Sequence, residues 1–178
     1  MAGPVFIRHP RPGDEAELVA LRRASREFLE PWEPIPPAGT DGFDEVAFAR
    51  MLAASDTERS QRVLVCRAAD RRIVGQASLG EIIRGSLEQA FLGYWVGAPF
   101  ARQGFMTAAI RLVLARAFGP LRLHRVEANI QPHNAASIAL ARRVGMRKEG
   151  FSPRYLRIRG AWTDHERWAV TAEDWGAG

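Results

Sequence analysis

A β-prone run that passes through a short glycine-containing loop into a helix constrains the fold of this chain most. The run covers residues 89–96, where aromatic and branched side chains dominate, and Gly97 and Pro99 follow it. Apolar residues then recur at helical spacing over residues 105–118. A strand followed so closely by a helix predicts a layered domain in which helices cover a sheet.

The start of this predicted helix has the properties of an anion-binding site. The N–H groups of a first helical turn have no partner within the helix, and the helix dipole favours negative charge there. Gly104 allows the backbone to approach an oxyanion, and Arg102 adds a cation. An ordinary strand–helix connection has the same appearance, so this stretch alone leaves both interpretations open.

The other predicted elements complete a mixed sheet with helices. Asp14 and Asn134 are suitable N-caps for two of the helices. Four prolines within residues 31–37 exclude regular structure in the segment that continues through Ala38-Gly39-Thr40. Strands are predicted at residues 5–8, 61–67, 72–79, 125–130, 155–158 and 165–170, and helices from residue 14 to 28, 44 to 54 and 134 to 144. This order predicts an α/β (α+β) class and one domain over residues 1–178.

Composition narrows the class of protein further. With 47% hydrophobic and 25% charged residues, the 178-residue chain has the balance of a globular domain. It has no apolar run near the ~20 residues of a membrane helix and no apolar secretory leader. The single cysteine, Cys66, excludes an internal disulfide and lies in an apolar run that is typical of a core. These features favour a cytoplasmic protein with no membrane partner.

The charge of the chain is compatible with an anionic ligand. The net charge is +5, and all but one of the 25 basic residues are arginine, since Lys148 is the only lysine. Arginine suits phosphate and carboxylate recognition because its planar fork donates two parallel hydrogen bonds. The basic residues form no run of five or more, so direct nucleic-acid binding is not predicted.

Four blocks, in order along the chain, resemble the GNAT N-acetyltransferases of the RimJ/RimL type, with the RimJ side the most similar. The blocks are residues 26–34 (Arg-Glu-Phe-Leu-Glu-Pro-Trp-Glu-Pro), residues 83–86 with 92–94, residues 103–109, and a C-terminal group that contains Pro132-His133-Asn134, Ser137, residues 147–151, Tyr155-Leu156, residues 160–162 and Asp164-His165. The resemblance implies the GNAT fold, a mixed, mostly antiparallel sheet with splayed central strands and helices on both faces.

The resemblance also implies the reaction and its partners. Acetyl-CoA would be the donor, without a metal, and a primary amine the acceptor. For RimJ-type proteins the acceptor is the α-amino group of a protein N-terminus, notably alanine on a ribosomal protein. The expected partners are therefore acetyl-CoA and the Ala- or Ser-ended N-terminus of a ribosomal or other protein, and a homodimer stays open.

The same resemblance assigns the residues that hold acetyl-CoA. Backbone amides near the end of the predicted strand would polarise the thioester carbonyl, and the following helix start would hold the pyrophosphate. The candidates are Trp95, Val96, Arg102, Gln103, Gly104, Phe105, Met106, Thr107 and Asn134. Ala101 stands where the family has Gln or Arg, and Ala108 where many members have Glu. Backbone donors rather than side chains are therefore expected to anchor the phosphates.

Catalytic candidates are fewer. Ser137 would face the sulfur and protonate or stabilise the leaving thiolate, although Asn134 and Ser137 equally suit a simple helix cap. Glu127 is a candidate general base acting through water. The position where RimL-type enzymes carry a base corresponds to Leu156, so that role does not transfer. Further base candidates that stay open are His133, Tyr155, Asp164 and His165.

The proline-rich segment is the candidate wall of the acceptor site. Its aromatic and aliphatic side chains could line a pocket, and Glu33 could attract an ammonium group, or the segment could simply seal the core. The substrate-binding candidates are Phe28, Leu29, Trp32, Glu33, Tyr94 and Tyr155.

Two other functions remain in competition. One is a small-molecule amine acetyltransferase acting on an aminoglycoside or a polyamine, which the basic net charge disfavours because polycations prefer acidic clefts. The other is a non-catalytic acyl-CoA-binding or ribosome-associated module. Gly104, Asn134 and Ser137 argue against the module, whereas Ala101 leaves room for it.

Overall fold

The computed structural model describes residues 3–36 and 41–176, so Pro37 and Ala38-Gly39-Thr40 of the proline-rich segment lie outside the described residues. The strands are β1 (Val5–Arg8), β2 (Gln61–Arg67), β3 (Ile73–Ile83), β4 (Gln89–Val96), β5 (Arg125–Ile130), β6 (Arg147–Ile158) and β7 (Ala161–Thr171). The helices are α1 (Glu15–Ala24), α2 (Arg26–Leu29), α3 (Glu45–Ala53), α4 (Phe105–Phe118), α5 (Ala135–Arg143) and α6 (Ala172–Gly176).

The strands form one seven-stranded sheet in the order β1-β2-β3-β4-β5-β7-β6. Every neighbouring pair is antiparallel except β4 and β5, which run parallel. These two strands pair through only three residue pairs, from Gln89–Arg125 to Phe91–Glu127, and then diverge. β4 stays paired with β3 as far as Val96. The predicted fold class, with splayed central strands, is confirmed.

Helices cover both faces of this sheet. Successive side chains of each strand point to opposite faces, so each face packs against its own helices. On β3, a Cβ added to Gly75 would meet Met106 Cε of α4 at 3.1 Å, which places α4 on the face of the odd-numbered residues. Gln76 and Ser78 point to the opposite face, where they share a cavity with residues of α1 and α3. The core lies mainly under α4, which buries residues at helical spacing: Met106, Ala109, Ile110, Val113, Leu114 and Ala117.

The predicted helix at residues 14–28 is wrong as a single element. It is divided into α1 and α2 at Ser25, a buried residue whose Oγ accepts a hydrogen bond from the Ala98 N–H at 2.9 Å. Asp14 precedes α1 but its carboxylate does not cap it. Arg8 holds that carboxylate through two hydrogen bonds of 2.6 and 2.7 Å, and hydrogen bonding to Arg8 lowers the pKa of Asp14.

Other boundaries also differ from the prediction. β3 continues to Ile83, and the two C-terminal strands are much longer than the predicted 155–158 and 165–170. β6 and β7 form a hairpin that turns at Arg159-Gly160. The proline-rich segment contains a short 3₁₀ turn at Glu30–Trp32, which the predicted absence of regular structure missed. Within the described residues, no helix has the length and apolar character needed to cross a membrane.

Candidate active site

The divergence of β4 and β5 opens a cavity of about 550 Å³, which we call the interstrand cleft. Its lining combines segments far apart in sequence: Trp32, Pro34, Ser78, Gly80, Glu81, Phe91, Leu92, Gly93, Tyr94, Ala128, Asn129, Ile130, Gln131, Asn134, Ser137, Tyr155, Leu156, Ile158 and His165. The cleft therefore brings together Trp32, Tyr94, Asn134, Ser137 and Tyr155 from the candidates that sequence reasoning selected.

The start of α4 offers the predicted set of backbone donors. Gly104 has a φ of 80°, a left-handed conformation that favours glycine, and its carbonyl accepts the first helical bond, from the Ala108 N–H at 3.1 Å. The amides of residues 105–107 precede this bond and have no acceptor within the helix. Gln103 donates its side-chain amide to the Pro99 carbonyl at 2.9 Å, and Arg102 is exposed to solvent. The backbone of this turn, more than its side chains, suits a phosphate.

The hydrogen-bond alternation of β4 decides which of its amides point away from β3, toward the edge where β4 and β5 diverge. The Gly97 N–H donates to the Val74 carbonyl directly opposite, at 2.9 Å. Hydrogen-bonded pairs then alternate along β3 and β4, so Trp95 is bonded to Gln76 whereas Val96 and Tyr94 direct their amides toward the diverging edge. Of the two candidates for polarising a carbonyl, the geometry favours Val96 over Trp95.

Asn134 and Ser137 form the N-terminal cap of α5 without using the Ser137 hydroxyl. The Ser137 backbone N–H donates to Asn134 Oδ1 at 3.1 Å. The Ser137 side chain lines the interstrand cleft next to Tyr94. Burial raises the pKa of Tyr94, whose hydroxyl forms no hydrogen bond with any of the described residues. The cap and the hydroxyl function of Ser137 are thus separable.

The structure does not bring Glu127 into the cleft. Glu127 lies opposite Phe91, the last residue pair before β4 and β5 diverge, and its buried carboxylate accepts a hydrogen bond from Arg125 at 2.9 Å. It is absent from the cleft lining. An ion-paired carboxylate outside the cavity is poorly placed to receive a proton there, so the geometry argues against the predicted base role.

His165 is the base candidate that the geometry favours. It lines the cleft, is only 2% exposed, and its Nδ1 lies 3.0 Å from the Thr163 carbonyl. Because a carbonyl only accepts, Nδ1 carries the proton and Nε2 keeps its lone pair. Burial lowers the pKa of His165, which keeps the ring neutral. The Tyr155 ring packs against it with ring centroids 6.1 Å apart.

The other open base candidates lie differently. The Asp164 carboxylate accepts from the Arg154 backbone N–H at 2.7 Å, and this residue does not line the cleft. The His133 ring packs on Trp32 with ring centroids 5.3 Å apart. This contact joins the proline-rich segment to the turn before α5 and gives His133 a packing role.

The proline-rich segment meets the prediction only in part. Trp32 lines the cleft, but Leu29 is buried in the protein interior and Phe28 is 43% exposed and lines neither cavity. Glu33 is held by Arg22 through two hydrogen bonds of 2.9 and 3.0 Å, so its negative charge is already neutralised. Glu33 therefore does not offer an unpaired carboxylate to the ammonium group of an acceptor, as the sequence had suggested.

A second cavity of about 460 Å³, which we call the arginine chamber, adjoins the cleft. Both cavities share Pro34, Ser78, Gly93 and Tyr94. The chamber is lined by Leu18, Val19, Arg22, Glu33, Pro34, Gly42, Phe43, Asp44, Ala47, Phe48, Met51, Arg62, Gln76, Ser78, Gly93, Tyr94 and Trp95. Sequence reasoning missed Arg62, because it stands between Gln61 and the continuous apolar run of residues 63–66, where no alternation marks the face of its side chain.

Comparison with known proteins identifies the family. The family model described as "Acetyltransferase (GNAT) domain" matches residues 5–147. The chain belongs to the GNAT acetyltransferase family. It is 33% identical to the probable N-acetyltransferase YjcK of Bacillus subtilis, over 96% of this chain and 95% of that protein. It is 31% identical to the [ribosomal protein uS5]-alanine N-acetyltransferase of Escherichia coli, over 98% of this chain and 91% of that protein.

Solved structures agree with this assignment. Mycobacterium smegmatis RimJ in complex with CoA-disulfide has a TM-score of 0.88 at 34% identity and covers 96% of this chain and 83% of that one. A spermidine N-acetyltransferase from Vibrio cholerae in complex with CoA and spermine has a TM-score of 0.80 at 20% identity, which is a likeness of fold alone. The chain is therefore an acetyl-CoA-dependent N-acetyltransferase related to RimJ.

Proposed function

We propose that this enzyme acetylates the α-amino group of a protein N-terminus, with alanine or serine as the terminal residue, in the cytoplasm. A ribosomal protein is the favoured acceptor, since the Escherichia coli relative acts on alanine of uS5. The observation that carries the proposal is the pairing of carboxylates around the two cavities, because it suits an acceptor with one ammonium group and not a polycation.

Each carboxylate that lines a cavity in the described part of the chain already has a partner. Glu81, at the cleft, pairs with Arg59 at 3.0 Å, and Glu33, in the chamber, pairs with Arg22. Asp44 caps α3 by accepting the Ala47 N–H at 2.8 Å. A polyamine would need several unpaired carboxylates to offset the desolvation of its charges. An α-amine needs far less, since its pKa of ~8 leaves a usable neutral fraction near neutral pH.

Residues of the cleft, of β4 and of the start of α4 have separate roles in the transfer. Acetyl-CoA supplies the acetyl thioester. The phosphates of acetyl-CoA suit the amides of residues 105–107, and its thioester carbonyl suits the amide of Val96. His165 Nε2 takes the proton of the acceptor amine, directly or through one water. The Ser137 hydroxyl donates a hydrogen bond to the departing sulfur. The neutral, buried Tyr94 lines the cleft beside Ser137.

A panel of amine acceptors tests this function. We expect thiol release from acetyl-CoA with Ala- and Ser-ended peptides, at a kcat/KM at least ~100-fold above that for spermidine or an aminoglycoside, which corresponds to ~2.7 kcal/mol. The control is the same peptide with a formylated α-amine, which should be inert. Turnover on the polyamine or the aminoglycoside alone would give the function to small molecules. CoA binding without turnover on any amine would make the protein a non-catalytic module.

A further inference from the structure

The arginine chamber contains a cation, Arg62, that has no partner in the described part of the chain. The Arg62 side chain forms no hydrogen bond and no ion pair with any residue in the ranges 3–36 and 41–176, and its Nε is buried. Its neighbour in the chamber, Arg22, differs, because Glu33 binds that guanidinium at 2.9 Å. A buried guanidinium N–H that donates to nothing carries a desolvation cost that an incoming anion would offset.

The surroundings of Arg62 are polar and open toward the cavity. Gln76 and Ser78 lie on the same face of the sheet, and Arg62 is directly opposite Ser78 on β3. Of the described lining residues, only Glu33 and Asp44 carry negative charge, and they are engaged by Arg22 and by the start of α3. Among its described lining residues, the chamber therefore offers one unneutralised positive charge with a hydroxyl and an amide group beside it.

The chamber is also continuous with the interstrand cleft. Ser78 lies opposite Gly93, and both residues line both cavities. Gly93 adds no side chain between them. Arg62 lies two strands away from Gly93, a separation of about 10 Å at the usual ~4.8 Å between strands. An extended peptide advances ~3.3–3.6 Å per residue, so its second to fourth residues span this distance from an amine in the cleft.

We propose that Arg62 binds a carboxylate of the acceptor, supplied by an aspartate or glutamate at the second, third or fourth residue of the acetylated N-terminus. This specificity rests on the proposed function, because it needs a peptide whose α-amine occupies the cleft. The Gln76 side-chain amide donates a further hydrogen bond to the same carboxylate, and the Ser78 hydroxyl adds another when it turns from the Gly93 carbonyl, to which it donates at 3.4 Å in this structure. The chamber selects acidic N-terminal sequences, whereas the cleft selects the amine.

A position scan with matched peptides tests the proposal. Amidated Ala-ended peptides carry a single glutamate at position 2, 3 or 4, or glutamine in its place. We expect glutamate at one of these positions to lower KM about tenfold relative to glutamine, the effect of one charge-assisted hydrogen-bonded pair. Arg62→Gln makes the KM values for the glutamate and glutamine peptides equal, and a Tm equal to that of the wild type shows that the variant is folded. Arg62→Lys keeps part of the advantage.

The control is Arg50→Gln, an exposed arginine on α3 that lines neither cavity and should retain the full preference. Equal KM values for glutamate and glutamine peptides in the wild type, or a preference that survives in Arg62→Gln, would overturn the chamber assignment alone. Absence of turnover on every peptide would overturn the proposed function and the inference with it.

Discussion

Gly104→Asp is expected to raise the KM for acetyl-CoA ~100-fold with little change in kcat. A Cβ at this position would meet nothing within 4 Å, so the expected effect does not come from a clash within the protein. The reason is charge. A carboxylate about 5 Å from a phosphate costs ~3 kcal/mol at an effective dielectric constant of ~20. The carboxylate would also offset the positive potential at the N-terminus of α4, which otherwise attracts the pyrophosphate.

Gly104→Asn is the matched control for this variant. Asparagine has the shape of aspartate without its charge, and it tolerates the left-handed conformation of Gly104 better than most residues. Its KM for acetyl-CoA should stay within a few-fold of the wild type. Steady-state kinetics over a range of acetyl-CoA concentrations measures both. If the asparagine and aspartate variants raised KM equally, backbone strain rather than charge would be responsible.

Ser137→Ala is expected to lower kcat ~100-fold and to leave the KM for acetyl-CoA nearly unchanged, because a proton donor to a leaving group acts only in the transition state. This substitution removes the hydroxyl without removing the helix cap. The cap of α5 uses the Ser137 backbone N–H and Asn134 Oδ1, which alanine preserves. Thermal unfolding of Ser137→Ala should therefore match the wild type. A kcat within twofold of the wild type would return Ser137 to a purely structural role.

Two further variants separate the cap from the chemistry. Asn134→Ala removes the acceptor for the Ser137 N–H and should cost ~1 kcal/mol of stability, with a lower Tm. Ser86→Ala changes an exposed serine between β3 and β4 that lines neither cavity, and should change neither kcat nor Tm. Comparison of these variants with Ser137→Ala separates the catalytic effect of the Ser137 hydroxyl from the effect of the helix cap on stability.

The sequence predicted the parts of the fold that hydrophobic patterns mark. The bounds of β4, α4 and β5 agree with the prediction because each has apolar residues at the right period between strong turn residues. β6 was predicted too short because exposed side chains dominate it and Ile158 is its one buried residue, so it has little apolar pattern to detect. The break at Ser25 depends on a hydrogen bond to Ala98, which is distant in sequence.

In the candidate site too, local features were predicted better than contacts between residues distant in sequence. The Gly104 turn and the Asn134 cap are local features, so sequence patterns find them. The side chains that depend on distant partners were harder to judge. Glu127 lies in the part of β5 that is still paired with β4, where Arg125 binds its carboxylate, and the place of Arg62 in the chamber depends on the register of β2 with β3. His165 stood among several candidates until its burial and its bond to Thr163 were known.

The position of the acetyl group on a product peptide distinguishes acetylation of a protein N-terminus from acetylation of a side-chain amine. An Ala-ended peptide with one internal lysine is incubated with acetyl-CoA and the enzyme, and the product is fragmented in a mass spectrometer. We expect a single acetyl group on the α-amine and none on the lysine side chain. Acetylation of the lysine with an unmodified α-amine would overturn the proposed function.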